Sequence, residues 1–576
     1  MHARTEAMRM GGAGGVRKVD DPVAEPWTAR GRVPPGREKE RPSRTGAVRL
    51  VCVMALPLLV FFVLGRESAA MVWESAGAKL TAMNSGFIDA SHASTTGART
   101  KPDELLGGLL APGSDRRSCL SRYQSPQYYK HFPYPPSSHL QQKLRAYEAR
   151  HMKCAPGTPL YAKSVEHLRS SNRSTQPTEC SYLVWHPYNG LGNRMLSMVS
   201  GFLYALLTDR VFLVDMPQDS TDLFCEPFPD STWVLPVADR FGRLGHSYRN
   251  LLDEGRMVND PANTTAPPVP PSVYLYLGHG HGFMDSMFYC SDDQRVLAKV
   301  KWLLFRTDLY LVPSLHSIPV FQDELRRLFP AKESVAHLLA RYLFHPSNSV
   351  WGLVMRYYHS YLAHAKQRIG VQIRMLPFAT IPVDDMYNQI LACSRQEHVL
   401  PEIDGGEAAA AATGGNLSET TSGGGNGTTA ILVASMFADY YERMRSAYYE
   451  HAAKGGVWVG VFQPTHEERQ ASGELGHNQK ALAEIYLLAF SEALLTSGKS
   501  TFGYVSSSLA GVRPTILLCA FGRRVPKTPC VRAASMEPCN HEPPRVRCQG
   551  KAVDEGGLAR HVRGCEDESR GVKLFD

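Results

Sequence analysis

Three segments of the chain carry groups that could bind a phosphate. Gly190–Arg194 (GLGNR) lies where an apolar strand gives way to a helical period, and free N–H groups at the start of a helix bind anions. Arg374 ends a buried-type strand that begins at Ile369, and its guanidinium can bridge a diphosphate with two parallel hydrogen bonds. Ser500–Gly503 (STFG) also follows a strand and precedes a helix, so its hydroxyl and N–H groups suit phosphate oxygens.

Each of these segments also has a purely structural interpretation. The glycines could serve a tight strand–helix turn, Arg374 could form an ion pair at its strand end, and Ser500 could be an ordinary helix N-cap. A dinucleotide-binding fingerprint needs a third glycine, and Met195 occupies that place. The spacing therefore disfavours a redox Rossmann domain and leaves phosphate binding open.

Other polar residues follow predicted strands and face the same side. Gln463 and His466 come directly after a strand, so we expect them near the crevice, although His466 could equally be a surface loop residue. The Asp308 carboxylate could position a sugar hydroxyl or accept its proton; the alternative is a solvated loop residue. The sequence contains no HExxH, Walker, GxSxG or DxD motif, which disfavours a sugar transferase that depends on a metal held by DxD.

These segments sit in two blocks of alternating strands and helices, so we predict an α/β fold. In the first, a strand at residues 182–185, a helical period over 195–206 and an apolar strand at 211–215 form a βαβ unit. The second block, which starts at 369, repeats the alternation up to a strand at 515–518. The pattern predicts two Rossmann-like domains, each with a mostly parallel sheet covered by helices, facing a cleft.

Length and charge exclude several classes of protein. A chain of 576 residues with 43% hydrophobic and 20% charged residues is not wholly disordered, collagenous or a multi-span membrane protein. The net charge is +8, but residues 1–49 hold 11 Lys/Arg and 6 Asp/Glu, which leaves +3 for the other 527 residues. The charge of the body therefore gives no support for binding to nucleic acid.

The N-terminal region predicts a membrane anchor. Residues 50–65 form a run of 16 residues without charge, preceded by basic residues, so we predict a signal anchor at 46–65 with a cytosolic tail at 1–45. A cleaved signal peptide is disfavoured because its n-region would be about 49 residues long. A buried core helix is disfavoured by polar, Gly-rich flanks. Residues 66–118 read as a stem.

The sequons and cysteines favour a lumenal body. Eleven of the 12 cysteines follow the anchor, five of them after residue 518, so we predict disulfide bonds with at least one thiol left free or intermolecular. A zinc site at His541 is disfavoured because no CxxC pair supports it. Four sequons predict N-glycosylation, at Asn172, Asn263, Asn416 and Asn426.

Domain boundaries follow from changes in composition. We place one α/β domain at 119–355, a second at 356–520, and a Cys-containing tail at 521–576. Residues 404–429 are low in complexity and rich in Gly and Ala, so they read as a surface insertion in the second domain.

Six segments stand out, and with their intervals they cover about three fifths of the chain: YNGLGNRMLSMVSGFLYALLTDRVFLVD (188–215), YLVPSL (310–315), RYLFHP (341–346), IGVQIR (369–374), FQPTHEE (462–468) and HNQKALAEIYLLAFSEALLTSGKSTFGYV (477–505). These segments resemble plant fucosyltransferases of the xyloglucan type. The resemblance implies a lumenal Golgi enzyme with a variant GT-B fold. Such enzymes transfer L-fucose from GDP-L-fucose to O2 of a galactose, with inversion and without a metal or other cofactor.

The resemblance also assigns roles to residues. It implies that Arg374 grips the donor diphosphate, that Asp308 places the acceptor, and that the glycine-rich turn faces the nucleotide-side loop. We therefore expect Arg374 and Asp308 to be catalytic; no general base is named. The expected donor site comprises Gly190, Gly192, Asn193, Arg194, Arg374, Gln463, His466, Ser500, Thr501, Phe502 and Gly503.

The expected acceptor is a galactose-terminated plant glycan, either xyloglucan or an arabinogalactan-type chain. The other expected partners are the Golgi membrane, through the single-pass anchor, and a second copy of the chain in a homodimer; nucleic acid is not expected. Two alternatives remain open: a related transferase with another nucleotide sugar, and a non-catalytic glycan-binding or scaffold protein on the same fold. The tail and the insertion depart from the family pattern and leave the acceptor undecided.

Overall fold

A computed structural model describes residues 103–113, 115–169, 179–239, 246–247, 270–280, 287–404, 427–544, 547–548, 551–552 and 560–576. All of them belong to one compact unit, Thr100–Asp576. The predicted cytosolic tail, the anchor at 46–65, the asparagines of the four sequons and residues 405–426 of the predicted insertion lie outside these ranges. Within them, no helix has both the length and the apolar character that a membrane crossing requires.

The first block forms a five-stranded parallel sheet. Its strand order is β2-β1-β5-β4-β3, and the predicted βαβ unit is confirmed because β1 and β2 pair in parallel around a helix at Leu191–Leu207. Strands β1, β2, β4 and β5 consist mostly of buried, apolar residues, as expected for a parallel sheet covered on both faces. They are β1 (Tyr182–His186), β2 (Val211–Val214), β3 (His246–Ser247), β4 (Ser272–Tyr276) and β5 (Trp302–Arg306).

The second block forms a six-stranded sheet with the order β11-β10-β9-β6-β7-β8. All its pairs are parallel except β10 with β11, an antiparallel strand contributed by the tail. The predicted mixed α/β fold with two mostly parallel sheets is therefore confirmed. The strands are β6 (Gln367–Ile373), β7 (Thr428–Ser435), β8 (Trp458–Phe462), β9 (Ala493–Ser497), β10 (Thr515–Leu517) and β11 (Cys530–Arg532).

Helices cover both sheets, and the tail adds two short hairpins. The α-helices are, in chain order, α1 (Leu120–Gln124), α2 (Ser138–Cys154), α3 (Pro159–Arg169), α4 (Leu191–Leu207), α5 (Ser291–Leu297), α6 (Val312–Leu315), α7 (Pro319–Leu328), α8 (Val335–Leu343), α9 (Asn348–Tyr357), α10 (Val383–Glu397), α11 (Ala438–Glu450), α12 (Leu475–Ala489) and α13 (Thr501–Ala510). The hairpins pair β12 (Arg547–Cys548) with β13 (Lys551–Ala552) and β14 (Val562–Gly564) with β15 (Val572–Leu574).

Two helices from different sheets pack side by side and bring the sheets together. Helix α4 follows β1, helix α13 follows β9, and the two are in contact. Gly511 ends α13 in the left-handed conformation, at φ 74°, which glycine adopts without strain. The buried Arg341 of α8 donates to the carbonyl oxygens of Leu509 and Ala510, so a cation stabilises the negative end of α13. The opposite, N-terminal end of α13 is thereby held toward the other sheet.

The packed body begins before residue 119, the predicted boundary of the stem. Leu109 and Leu110 are each only 1% exposed and belong to the main core. Glu104 and Asp103, just before them, pair with Arg116 and with backbone N–H groups. The leucines at 105–106 and 109–110 supply the apolar surface that draws this segment onto the body.

Ten cysteines of the described residues form five disulfide bonds, and Cys519 is free. The predicted disulfides and the predicted free thiol are both confirmed. Four tail cysteines are bonded, two of them to distant parts of the body. The bonds are Cys119–Cys225, Cys154–Cys180, Cys290–Cys548, Cys393–Cys530 and Cys539–Cys565.

Cys539→Ser is expected to lower the free energy of unfolding by about 3 kcal/mol, because the Cys539–Cys565 bond closes a loop in the tail. Thermal unfolding of the oxidised, full-length protein measures the effect as a lower Tm. Cys519→Ser removes a cysteine without breaking a bond and serves as the matched control. Equal Tm values for the two variants would show that this disulfide does not stabilise the fold.

Candidate functional site

A cleft of about 520 Å³ lies at the carboxyl ends of the strands of both sheets. Its walls come from segments that directly follow β1, β6, β7 and β9, which is where parallel α/β sheets bind ligands. The tail supplies a further wall. The lining residues used below are Gly190, Gly192, Asn193, His279, Arg374, Met436, Phe437, Glu467, Glu484, Lys499, Ser500, Thr501, Phe502, His541, Glu542 and Glu568.

The glycine-rich turn meets the start of α13 without room for a side chain. A Cβ atom on Gly192 would lie 2.7 Å from Thr501 Oγ1 and 2.9 Å from the backbone N of Phe502. The Thr501 hydroxyl donates to Asn193 Oδ1 over 3.1 Å. Close approach of the two segments across the cleft is therefore the structural reason for glycine at this position.

Gly192→Ala is expected to destabilise the fold by about 1–3 kcal/mol, because the added methyl group must push backbone atoms apart. Gly473→Ala is the matched control, since its Cβ would meet nothing within 4 Å. The measurement is Tm for both variants. A Gly192→Ala protein as stable as the control would mean that the two segments separate at no cost.

Arg374 directly follows β6, and polar neighbours hold its side chain at the cleft. Its Nη2 donates to Gln470 Oε1 over 2.7 Å and its Nη1 lies 3.7 Å from Met436 Sδ. The backbone N donates to Ser497 Oγ over 2.9 Å. None of the carboxylates among the described residues forms an ion pair with this guanidinium, so the ion-pair interpretation finds no support there. Burial lowers the pKa of Arg374, but a guanidinium stays protonated, and its charge is available for an anion.

Ser500 is the N-cap of α13, as the structural interpretation proposed. Its Oγ accepts from the backbone N of Gly503 over 3.5 Å, while Ser500, Thr501 and Phe502 line the cleft. The N-terminus of α13 therefore presents its free N–H groups and positive dipole end beside Arg374. The capping bond uses only one N–H group, so the other N–H groups of this terminus remain available for an anion.

Four residues of the predicted donor site do not line the cleft. Arg194 donates to Asp219, with a shortest distance of 2.7 Å, and to the carbonyl oxygen of Asn189. Gln463 donates to the carbonyl oxygen of Ser435 over 3.0 Å. His466 packs on the ring of Tyr441. Gly503 provides close packing, since its Cβ would lie 2.8 Å from the Cβ of Thr496.

Asp308 is also outside the cleft, but it holds a histidine that lines it. The Asp308 side chain is 1% exposed. Its Oδ2 pairs with His279 Nδ1 over 2.8 Å, and its Oδ1 accepts from the His279 backbone N over 2.9 Å. Asn189 Nδ2 donates to the same carboxylate, and Asn193 Nδ2 donates to the Asp308 carbonyl oxygen. The glycine-rich turn and the histidine are therefore positioned by one buried aspartate.

In the His279–Asp308 pair, each side chain stabilises the charged form of the other. The hydrogen bond with Asp308 raises the pKa of His279 against an opposing effect of burial. Burial would raise the pKa of Asp308, but its hydrogen bonds with His279 outweigh burial and hold that pKa below its ordinary value. A buried, ionised carboxylate thus orients the imidazole through Nδ1, and no other described residue forms a hydrogen bond with His279 Nε2.

His279 was missed by sequence reasoning, although a signal was present. The alternating sequence GHGHG at 278–282 directly follows β4, as other site residues follow their strands. The tail residues His541, Glu542 and Glu568 were also missed. No local pattern marks them, because only the fold brings the tail to the cleft.

The tail wall contacts both sides of the cleft. Glu542 Oε2 accepts from the backbone N of Gly280 over 3.0 Å. It therefore holds the histidine loop, the segment after β4 that carries His279 and Gly280. Asp567 Oδ2 accepts from the Lys499 backbone N, and Glu568 Oε2 from Lys499 Nζ, each over 2.7 Å. The tail therefore bridges the loop after β4 and the loop after β9.

One group of possible metal ligands occurs among the residues described, comprising Cys539, Cys565 and Asp567. Its two sulfur atoms are joined in a disulfide bond, so the group offers no thiolate ligand.

Comparison with known proteins gives four concordant matches. The family model described as xyloglucan fucosyltransferase matches residues 78–549. The chain is 45% identical over 477 residues to a galactoside 2-alpha-L-fucosyltransferase of Pisum sativum, covering 82% of each chain. It is 46% identical to one of Arabidopsis thaliana, covering 82% of this chain and 83% of that one. The solved structure of an Arabidopsis thaliana FUT1 arginine-to-lysine mutant in complex with GDP matches with a TM-score of 0.72 and 45% identity, over 82% of this chain and 100% of that one.

Proposed function

Because the chain belongs to the xyloglucan fucosyltransferase family and is a fucosyltransferase, we propose that it transfers L-fucose from GDP-L-fucose to O2 of a terminal galactose. The proposed acceptor is cell-wall xyloglucan or an arabinogalactan-type glycan. The observation that carries the proposal is Arg374, a cation without a carboxylate partner among the described residues, beside the N-terminus of α13 in the cleft. The names of the relatives and the GDP in the similar solved structure support the donor and the linkage.

We propose that the two sheets form a variant GT-B arrangement. The first sheet and its helices, up to residue 355, are the acceptor side. The second, at 356–520, is the GDP side. The support is the position of the cleft at the carboxyl ends of strands from both sheets.

In the proposed reaction, positive groups stabilise the leaving GDP. The bond between the fucose anomeric carbon and the β-phosphate oxygen breaks while the galactose O2 forms a bond from the opposite face, which inverts the anomeric centre. Negative charge then grows on the diphosphate. Arg374 and the N–H groups at the start of α13 are aimed at that charge and stabilise it more in the transition state than in the ground state.

The proposed proton acceptor is His279. As the new bond forms, the galactose hydroxyl must lose its proton, and the free ring nitrogen of His279 faces the cleft. Asp308 does not touch the substrate in this scheme; it is a positioning residue that orients the imidazole and stabilises its protonated form. Asn193 connects this pair to the donor side through its bonds with Thr501 and with Asp308.

The proposal includes the Golgi membrane as the location, with a single-pass type II anchor at 46–65 and a lumenal catalytic body. The basic tail, the uncharged run and the sequons support this topology, and the disulfide bonds suit an oxidising lumen. A homodimer is part of the proposal and is tested by sedimentation of the full-length protein.

Product analysis with the full-length protein tests the function. We expect fucose transfer from GDP-L-fucose, but not from GDP-mannose or UDP-galactose, to galactosylated xyloglucan or arabinogalactan oligosaccharides. A matched acceptor with 2-deoxygalactose should receive none. Transfer from another donor would favour the related-transferase alternative. Glycan binding without GDP binding or turnover would favour the scaffold alternative.

A further inference from the structure

One end of the cleft, away from Arg374 and the histidine loop, contains a buried carboxylate. Glu484 of α12 lines the cleft and is only 8% exposed. Its Oε1 accepts from Thr465 Oγ1 over 2.6 Å. Burial raises the pKa of Glu484 to about 7, so a carboxylate has been kept in a place that disfavours its charge.

No cation of the described ranges forms an ion pair with Glu484. Lys480, one turn earlier on the same helix, pairs instead with Glu467, a second carboxylate that lines the cleft and is 31% exposed. His477 also lies toward Glu467, with 3.6 Å between Nδ1 and Oε2. Glu484 thus faces the cleft with acceptor capacity beyond its bond from Thr465.

The strand order sets the distance between Glu484 and Arg374, the group proposed to bind the diphosphate. Arg374 follows β6, Met436 and Phe437 follow β7, and Thr465 follows β8, and these strands are consecutive neighbours in the sheet. Two strand spacings amount to about 10 Å. In a nucleoside diphosphate the ribose separates the diphosphate from the base. If the diphosphate binds at Arg374, the base would therefore lie near Glu484.

The lining between these points suits a flat aromatic ring. Ala434, Met436 and Phe437 present apolar surface to the cleft, and the Phe437 ring is 38% exposed. Flat bases bind well to aromatic and apolar surfaces. Polar groups at the far edge of such a ring would meet the carboxylate.

We propose that Glu484 recognises guanine, by accepting hydrogen bonds from its N1–H and its 2-amino group. This inference rests on the proposed function, in which GDP-L-fucose is the donor. Both guanine groups are donors on one edge of the base, and a carboxylate with two oxygens matches them. Adenine lacks the 2-amino group and has an acceptor at N1, so it would place a lone pair against the carboxylate.

The competing explanation is structural: Glu484 would serve only to anchor Thr465. Glu484→Gln separates the two explanations, because glutamine keeps an oxygen that can accept from Thr465 Oγ1 but loses the charge and one acceptor. A structural role would leave nucleotide preference unchanged in this variant. Glu467→Gln is the matched control, as it removes a neighbouring cleft carboxylate that is already paired.

Calorimetric binding of GDP, IDP and ADP to the full-length protein provides the test. IDP lacks only the 2-amino group. The wild-type protein is expected to prefer GDP to IDP by about tenfold to a hundredfold and to bind ADP about 10³-fold more weakly than GDP. In Glu484→Gln the GDP:IDP ratio should fall by about tenfold, while Glu467→Gln keeps the wild-type ratio.

The outcomes separate the inference from the proposed function. Wild-type protein that does not bind GDP overturns both. Wild-type protein that binds GDP and IDP equally overturns the guanine assignment alone, whatever the folding of the variant. A Glu484→Gln protein that binds GDP with an unchanged GDP:IDP ratio also overturns the assignment and leaves the fucosyltransferase proposal standing.

Discussion

Arg374→Ala is expected to lower kcat for fucosyl transfer by about 10³-fold, with the fold intact. In the proposed reaction the Arg374 guanidinium binds the diphosphate, and removing one preorganised donor to a developing charge costs about 10²–10³ in rate. Here a full charge is lost as well. Among the described residues, the Arg374 guanidinium has hydrogen-bonding partners in Gln470 and the Met436 sulfur and forms no ion pair. Its loss should therefore spare stability.

Steady-state kinetics with GDP-L-fucose and the preferred acceptor, together with Tm, measure this effect. The kcat of Arg374→Lys should fall between those of the wild type and Arg374→Ala, because lysine keeps the charge but not the planar guanidinium fork. Arg368→Ala is the contrasting control on the same strand: Arg368 is buried and paired with Glu492, so its loss should lower Tm. Retention of more than about a tenth of the wild-type kcat in folded Arg374→Ala would falsify the donor-clamp assignment, given the expected loss.

His279→Ala is expected to lower kcat by about 10²–10⁴-fold, the usual contribution of a general base. GDP affinity should stay unchanged, because His279 lies with the tail residues on the acceptor side of the proposed reaction. His466→Ala is the matched control, since its ring packs on Tyr441 outside the cleft lining. A full rate with His279→Ala would mean that another group or water takes the proton.

Asp308→Asn separates positioning from chemistry through the pH profile. A base must be neutral, so the acid limb of kcat/KM falls at the pKa of His279, which Asp308 raises. Without that charge the pKa of His279 drops, and the acid limb should move to lower pH while the plateau rate also falls. Glu542 and Glu568 face His279 and keep part of the raised pKa, and the ring of His541 lies 6.2 Å away. An acid limb that does not move would exclude His279 as the titrating base.

Much of the fold could be predicted from local patterns. The period of apolar residues after the glycine-rich turn gave α4 correctly, and the continuous apolar runs at 182–185 and 211–215 gave β1 and β2. Arg374 and Ser500 were recognised as candidates because each follows a strand, and strand ends are where parallel sheets bind ligands. These inferences use neighbours in sequence only, so one chain suffices for them.

The same reasoning assigned too many residues to the donor site. Arg194, Gln463 and His466 also follow strands or turns, yet their side chains contact Asp219, a backbone oxygen and Tyr441 rather than the cleft. Position after a strand predicts proximity to the crevice, but rotamer and local partners decide whether a side chain reaches it. Asp308 is a further case, because its carboxylate acts on the cleft only through His279.

The sequence by itself determined the α/β class, the order of the elements, the presence of disulfides with a spare thiol, and Arg374 as a cation at the end of a strand beside the cleft. All of these depend on residue type and short-range spacing. The tertiary structure decided the composition of the site. Asn193 meets Thr501 across 308 residues, and Glu542 reaches Gly280 across 262, because α4 packs on α13 and the tail folds back over both loops. Contacts at such separations arise from the packing of whole elements, which no local pattern encodes.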